Sequence, residues 1–284
     1  MKSLKLISPA KVNLSLEVLG KRPDGYHNLR TVFERIGLSD RIRLKKIATG
    51  EIRIQTDSTE IPADPKNLAF KAAALLKSRF GVRHGVEIYL EKKIPVQAGL
   101  GGGSSNAATV LLGLNRLWRL KLSRRSLLKL GATLGSDVPF FILETSFARG
   151  EDRGEKLKKI SAPGVRFWHC IVKPPFGIST RQAYEGLKMK KQGMLTPPND
   201  DVRMTVQSIR KGSAGSLGRL LVNSLEATEN KRVKEILVLK NSLLRQGARG
   251  ALMSGSGSAV FGLFEKETKV QAIFKDSVVW SGWL

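Results

Sequence analysis

The residues best suited to chemistry lie in the stretch Pro95-Val96-Gln97-Ala98-Gly99-Leu100-Gly101-Gly102-Gly103-Ser104-Ser105-Asn106. Four glycines in the five positions from Gly99 to Gly103 let backbone N–H groups approach an anion closely. The hydroxyls of Ser104 and Ser105 can cap a following helix or reach the same anion. The chemistry this supports is phosphate binding. No lysine follows the glycines as a P-loop requires, and Ser104 or Asn106 stands where a dinucleotide fingerprint needs its last glycine, so neither common motif fits. A glycine-rich turn with an ordinary serine N-cap is the plain alternative.

Other candidates are smaller. Lys11 and Asn13 alternate with apolar neighbours and so point the same way from a strand, about 6 to 7 Å apart. Such a pair is either a solvated face or part of a site. Pro23-Asp24-Gly25 has turn chemistry and delivers Tyr26 and His27 immediately after it. An aromatic ring and an imidazole at a turn are either surface decoration or a stacking and hydrogen-bonding pair suited to a nucleobase or sugar. Asp137 follows the helix-ending Gly135 and precedes Pro139, where an aspartate can cap the next turn.

The elements that must position these residues are legible from periodicity. Val86, Ile88 and Leu90 alternate with polar residues as a strand that Pro95 ends, and Ala107, Leu111, Leu114 and Trp118 follow at helical spacing. The order is strand, glycine loop, helix. Val12 to Val18 reads as a strand with one apolar and one polar face, and 40–47 and 51–55 as further strands. Asn67 opens a helix that runs to Phe80 and stops at Gly81, and Ser123 caps another that ends at Gly135. From about Arg166 a second lobe begins, with a strand at 167–172 and helices at 181–187 and 232–244.

Composition narrows the class. The chain has 284 residues, 41% of them apolar, enough for one large or two modest domains. It has no apolar run long enough for a membrane helix, and the stretch after Met1 is too short for a signal peptide, so a cytoplasmic protein is expected. Cys170 is the one cysteine, and only three histidines are present, so neither an internal disulfide nor a Cys/His metal cluster is expected. Cys170 reads as a small buried hydrophobe. The net charge of +25 favours anionic partners. The basic residues are spread out, with short clusters such as Lys188-Met189-Lys190-Lys191, and aromatics make up only 6%, unlike a base-stacking surface.

Pro-x3-Gly-Leu-x3-Ser-Ser-x-Ala, from Pro95 to Ala107, resembles the second motif of the GHMP kinases, the galactokinase, homoserine kinase, mevalonate kinase and phosphomevalonate kinase group. Ser8-Pro9-Ala10-Lys11-Val12-Asn13-Leu14 resembles a first motif and Met253 to Phe261 a third, so three motifs in order cover most of the chain. Pro23 to Leu29 is similar to a segment that borders cytidine in one branch, which phosphorylates a cytidine diphosphate-linked alcohol; the homoserine and mevalonate branches lack it in this form. Ala148 to Glu155 resembles a family connection but is about two residues longer.

The resemblance implies an α/β (α+β) two-lobed GHMP kinase fold. A domain like the second domain of ribosomal protein S5 would occupy 1–160 and a GHMP-type domain 161–284. It implies ATP and Mg²⁺ as cofactors, no structural metal, and small-molecule partners, with neither specific nucleic acid nor membrane. Pro95, Gly99, Leu100, Gly101, Gly102, Gly103, Ser104 and Ser105 would hold the nucleotide, with Asn67 near adenine unless it is simply a helix cap. Lys11 and Asp137 would hold the acceptor hydroxyl. Tyr26 would stack on the cytosine with Tyr184 facing it, His27 would hydrogen-bond the base, and Asn13, Gly255 and Gly257 would complete the acceptor site. Pro198-Asn199-Asp200 resembles a family Asn-Asp segment. The alternatives are a kinase of the same family for another small alcohol, and a basic nucleic-acid binder with an S5-like domain.

Overall fold

The structure, a computed structural model, describes residues 3–187, 201–227, 232–272 and 274–283. The Lys188 to Lys191 cluster and Pro198-Asn199-Asp200 lie outside the described residues. The chain divides into two compact units, the first made of Met1–Ala10, Leu38–Val96 and Gly101–Thr145, the second of Lys11–Gly37, Gln97–Leu100 and Ser146–Leu284. The division therefore does not fall at one point near residue 160. Residues 11–37 and 97–100 pack with the carboxy-terminal part.

In the first unit, β1 (Ser3–Lys21) supplies its first residues and β2 (His27–Ile47) its last. β3 (Ile52–Thr56) is followed by α1 (Leu68–Arg79) and β4 (Gly85–Glu91). β4 runs parallel to β3, with Ile88 opposite Ile54, and antiparallel to β2, with Ile88 opposite Leu44. Ile42, Leu44, Ile88 and Leu90 are buried on one face, while Lys45 and Glu87 pair at 3.0 Å on the other. That is the alternation read from the sequence.

Four helices complete this unit: α2 (Gly102–Leu117), α3 (Arg124–Leu134), α4 (Val138–Ile142) and α1. α1 packs on α2, and α4 on α2 and α3. Gly113 lets α2 lie close to the sheet, since a Cβ there would stand 2.6 Å from both Leu6 Cδ1 and Leu44 Cδ1. Asn67 and Ser123 cap α1 and α3 as their sequence positions predict, accepting from Ala69 N at 2.9 Å and Ser126 N at 3.2 Å.

The second unit continues with β5 (Phe147–Asp152), β6 (Lys156–Ile160), β7 (Trp168–Lys173), α5 (Thr180–Glu185), α6 (Asp201–Arg210), α7 (Ala214–Gly218), β8 (Val222–Asn223), α8 (Val233–Arg245), β9 (Gly250–Met253), β10 (Val260–Phe264) and β11 (Val278–Trp283). β5 pairs antiparallel with β2, Val32 opposite Arg149, and with β6. β8 runs parallel to β1, with Ser15 opposite Val222. β11, β7, β10 and β9 form an antiparallel sheet in that order, and α8 packs on β9 and β10. Leu16, Val18, Cys170, Val172, Leu239, Leu243 and Phe264 share its core.

Three local expectations are corrected. The strand before the glycine loop ends at Glu91, not Pro95, because Lys93 N and Ile94 N turn away to bond Asp40 Oδ1 at 2.8 and 2.9 Å. The helix after the loop starts at Gly102, so Ser104 and Ser105 lie inside its first turn and neither is its N-cap. Lys11, Asn13, Ser15 and Glu17 are buried, which removes the solvated-face reading of that strand.

Candidate active site

The glycine loop presents an uncapped helix end. Gly101 is the N-cap of α2 in the left-handed region at φ 70° and ψ 18°, and no side chain caps the helix. The first intrahelical bond runs from Ser105 N to Gly101 O at 2.9 Å. The N–H groups of Gly102, Gly103 and Ser104 thus sit at the positive end of a sixteen-residue helix, where an anion is favoured. Gly103 is exposed and Ser104 half-buried. Ser105 is fully buried, and its Oγ accepts from Ser8 Oγ at 2.8 Å, so that hydroxyl is spent inside the protein.

What holds the loop is a buried carboxylate absent from the sequence expectations. Asp40 is 0% exposed; besides the backbone N–H groups of Lys93 and Ile94, it accepts from Lys92 Nζ and from Asn106 Nδ2, the latter at 2.9 Å. Asn106 Nδ2 also donates to Ser8 Oγ at 2.9 Å. Asp40 and Asn106 together therefore tie the approach to the loop, the first turns of α2 and β1 to one another. The only sequence signal for it was an aspartate inside an otherwise strand-like run.

Gly102 is not in the positive-φ region; a Cβ there would press on Ile94 Cγ2 at 3.1 Å. The glycine that cannot be replaced is Gly99, at φ 73°, where a Cβ would stand 1.9 Å from Ser254 O. Asn67 spends its amide on the cap and on Pro62 O at 2.8 Å, and the neighbouring Leu68 Cδ1 would be 3.5 Å from a Cβ on Gly103. Asp137 is half-buried at the start of α4, in the right-handed helical region, and its side chain does not cap that helix. A Cβ on Gly135 would lie 3.9 Å from Ser104 Oγ, which puts the segment carrying Asp137 beside the first turn of α2.

In the second unit, Lys11 Nζ donates to Asn13 Oδ1 at 2.5 Å and lies 5.6 Å from the centroid of the Phe33 ring. Lys11 N bonds Leu100 O at 3.0 Å. Asn13 Nδ2 donates to Thr31 Oγ1 at 2.8 Å. Gly255, at φ 54°, leaves room against this pair, since a Cβ there would be 3.3 Å from Lys11 Nζ and 3.4 Å from Asn13 Oδ1. The loop carrying Gly255 and Gly257 is tied to the glycine loop by Ser254 Oγ to Gly99 O at 3.0 Å and Ala259 N to Ala98 O at 3.2 Å. Asn223, also unforeseen, braces it by donating to Met253 O and Gly255 O, each at 2.8 Å.

The base-binding candidates are arranged differently from the expected tyrosine pair. His27 stacks on Tyr184 with ring centroids 5.1 Å apart and planes 28° apart. Tyr26 is 55% exposed and carries the Arg153 guanidinium 5.0 Å over its ring. Arg153 comes from the turn between β5 and β6. Burial, and secondarily the Lys21 charge, hold the His27 imidazole below its ordinary pKa of 6.5. It is thus neutral near pH 7, with one donor and one acceptor nitrogen to offer a base edge. Cys170 is buried as expected, its thiol pushed up to about 11 by burial.

Among the described residues no group of three His, Cys, Asp or Glu side chains can hold a metal ion, and no helix is long and apolar enough to cross a membrane. Residues 67–145 match the GHMP kinases N terminal domain, and residues 205–276 the GHMP kinases C terminal domain. The chain is 45% identical over 268 residues to the 4-diphosphocytidyl-2-C-methyl-D-erythritol kinase of Bacillus subtilis (strain 168), covering 94% of this chain and 90% of that one. It is 46% identical over 272 residues to the same kinase of Bacillus pumilus (strain SAFR-032), again covering 94% and 90%. A crystal structure of 4-(cytidine 5'-diphospho)-2C-methyl-D-erythritol kinase superposes with a TM-score of 0.78 at 36% identity, covering 92% of this chain and 90% of that one. Homoserine kinase from Cytophaga hutchinsonii shares the fold, with a TM-score of 0.69 at 21% identity over 93% of this chain and 85% of that one.

Proposed function

Because the chain belongs to the GHMP kinases, and within them to the 4-diphosphocytidyl-2-C-methyl-D-erythritol kinase family, we propose that it transfers the γ-phosphoryl group of ATP to the 2-hydroxyl of 4-diphosphocytidyl-2-C-methyl-D-erythritol, a step of the non-mevalonate isoprenoid route. The observation that carries the reading is the uncapped amino terminus of α2, whose donors suit a nucleotide phosphate. The acceptor oxygen bonds to the γ-phosphorus, the bond from that phosphorus to the β,γ-bridging oxygen breaks, and ADP leaves. Such transfer depends on positioning and charge neutralisation more than on covalent chemistry by the protein.

In this reading Pro95, Gly99, Leu100 and Gly101 to Ser104 shape the phosphate cradle, and Ser105 supports it from inside. Asn67 fixes the start of the helix that borders it. Lys11 neutralises charge at the acceptor hydroxyl, and Asp137 orients that hydroxyl and takes its proton late. Asn13, Gly255 and Gly257 shape the acceptor site, and Tyr26, His27 and Tyr184 take the cytosine. Mg²⁺ would be carried by the nucleotide phosphates, with the half-buried Ser104 hydroxyl in the first turn of α2 as an oxygen donor towards it, and would supply charge neutralisation when bound.

The test is ATP consumption against a panel of 4-diphosphocytidyl-2-C-methyl-D-erythritol, mevalonate and homoserine. Turnover with the cytidine-linked alcohol alone is expected. Equal or faster turnover with either small alcohol would overturn the assignment.

A further inference from the structure

The hydrogen bonds around Lys11 have a direction that can be read without locating a single proton. Ser15 O is a backbone carbonyl and can only accept, so Thr31, 2.6 Å from it, spends its one hydroxyl hydrogen there. Towards Asn13, Thr31 Oγ1 can then only accept. The Asn13 atom facing it at 2.8 Å must be Nδ2, which leaves Oδ1 facing Lys11 Nζ at 2.5 Å. Thr31 is 0% exposed, Asn13 2% and Lys11 3%, so water does not compete for these bonds.

We propose that Thr31 is a positioning residue for phosphoryl transfer: by fixing the orientation of the Asn13 amide, it presents a carbonyl oxygen to Lys11 and holds the ammonium in place. This rests on the role assigned to Lys11 above. Without the hydroxyl, Nδ2 loses its buried acceptor, and the amide is held in its orientation by Lys11 alone instead of from both ends. The position has no motif signature, because a threonine near the start of β2 is an ordinary strand residue. What distinguishes it is its two partners, sixteen and eighteen positions away.

Three variants test it: Thr31→Val, which keeps the shape and loses the hydroxyl; Thr31→Ser, which keeps the hydroxyl; and Lys11→Met. Turnover, KM for ATP, thermal midpoint and the side-chain amide resonance of ¹⁵N-labelled Asn13 are measured for each. Thr31→Val is expected to stay folded, to shift the Asn13 amide resonance, and to lower kcat about tenfold with KM for ATP unchanged. Thr31→Ser should keep the resonance and stay within about threefold of wild-type kcat.

Wild-type kcat in Thr31→Val together with an inactive Lys11→Met would overturn the role of Thr31 alone. Wild-type kcat in Lys11→Met would overturn the role of Lys11, and with it the catalytic part of the proposal, whatever Thr31→Val does. If Thr31→Val fails to fold, Thr31→Ser decides: a displaced amide resonance and low kcat overturn the inference, and wild-type values support it.

Discussion

Two aspartates of the first unit, Asp40 and Asp137, are treated in opposite ways by their surroundings. Asp40 is fully buried and collects two backbone N–H groups, a lysine ammonium and an asparagine amide. Asp137 is half-buried at the start of α4 and leaves that helix uncapped by its side chain. A carboxylate saturated by donors acts as a bracket, since burying its charge is tolerable only while every partner stays. Asp137 opens α4 without capping it, beside the first turn of α2. The contrast predicts that changing Asp40 costs mainly stability and changing Asp137 mainly turnover.

The largest effect expected is from Asp137→Asn, which keeps the shape and removes the base. Loss of a positioned general base lowers turnover by about 10² to 10⁴, or roughly 3 to 5.5 kcal/mol of barrier. Single-turnover phosphoryl transfer measured alongside thermal unfolding checks it; a variant with normal turnover would break the comparison at this end. Asp40→Ala should cost about 3 to 5 kcal/mol of stability, because Lys92 is left as a buried charge without its carboxylate. Urea unfolding measures this, and a loss under about 1 kcal/mol would mean the bracket is replaceable.

Smaller effects sharpen the picture around the ligands. Tyr26→Ala should weaken binding of the cytidine-linked acceptor by roughly 1 to 3 kcal/mol and leave ATP affinity unchanged, as titration calorimetry with each ligand would show. His27 supplies a pH dependence whose sign is fixed. Its folded pKa is lowered from 6.5, so whatever the neutral imidazole contributes is present above that value and is lost as pH falls through the depressed pKa. Acceptor affinity of the wild type should therefore decline on acidification below that point, while His27→Gln, which cannot titrate, should stay flat there. Parallel slopes for the two proteins would remove His27 from base recognition. Asn67→Ala is expected to cost about 1 kcal/mol of stability as a lost N-cap, with ATP affinity telling whether the side chain also touches the nucleotide.

The sequence by itself determined what depends on near neighbours. The caps Asn67 and Ser123, the alternation of β4 and the order of strand, glycine loop and helix all follow from bonds and torsions within a few residues, which residue type dictates locally. The glycine loop was legible for the same reason: positive φ at Gly99 and Gly101 leaves a local mark, whereas the uncapped helix start did not. Motif order then carried the family.

Only the tertiary structure decided which of those residues are supported, and by what. Asp40 bonds Asn106 across 66 positions, Asn223 holds Met253 across 30, and His27 meets Tyr184 from distant parts of the second unit. Lys11 and Asn13 looked like a solvated strand face until the fold buried both sides of β1. The two compact units are each built from several chain segments, because long strands such as β1 and β2 give their two ends to different units. A side chain's type limits the bonds it can form, but its partner is fixed only when the chain brings two remote backbones to within hydrogen-bond reach, and no local pattern records that meeting.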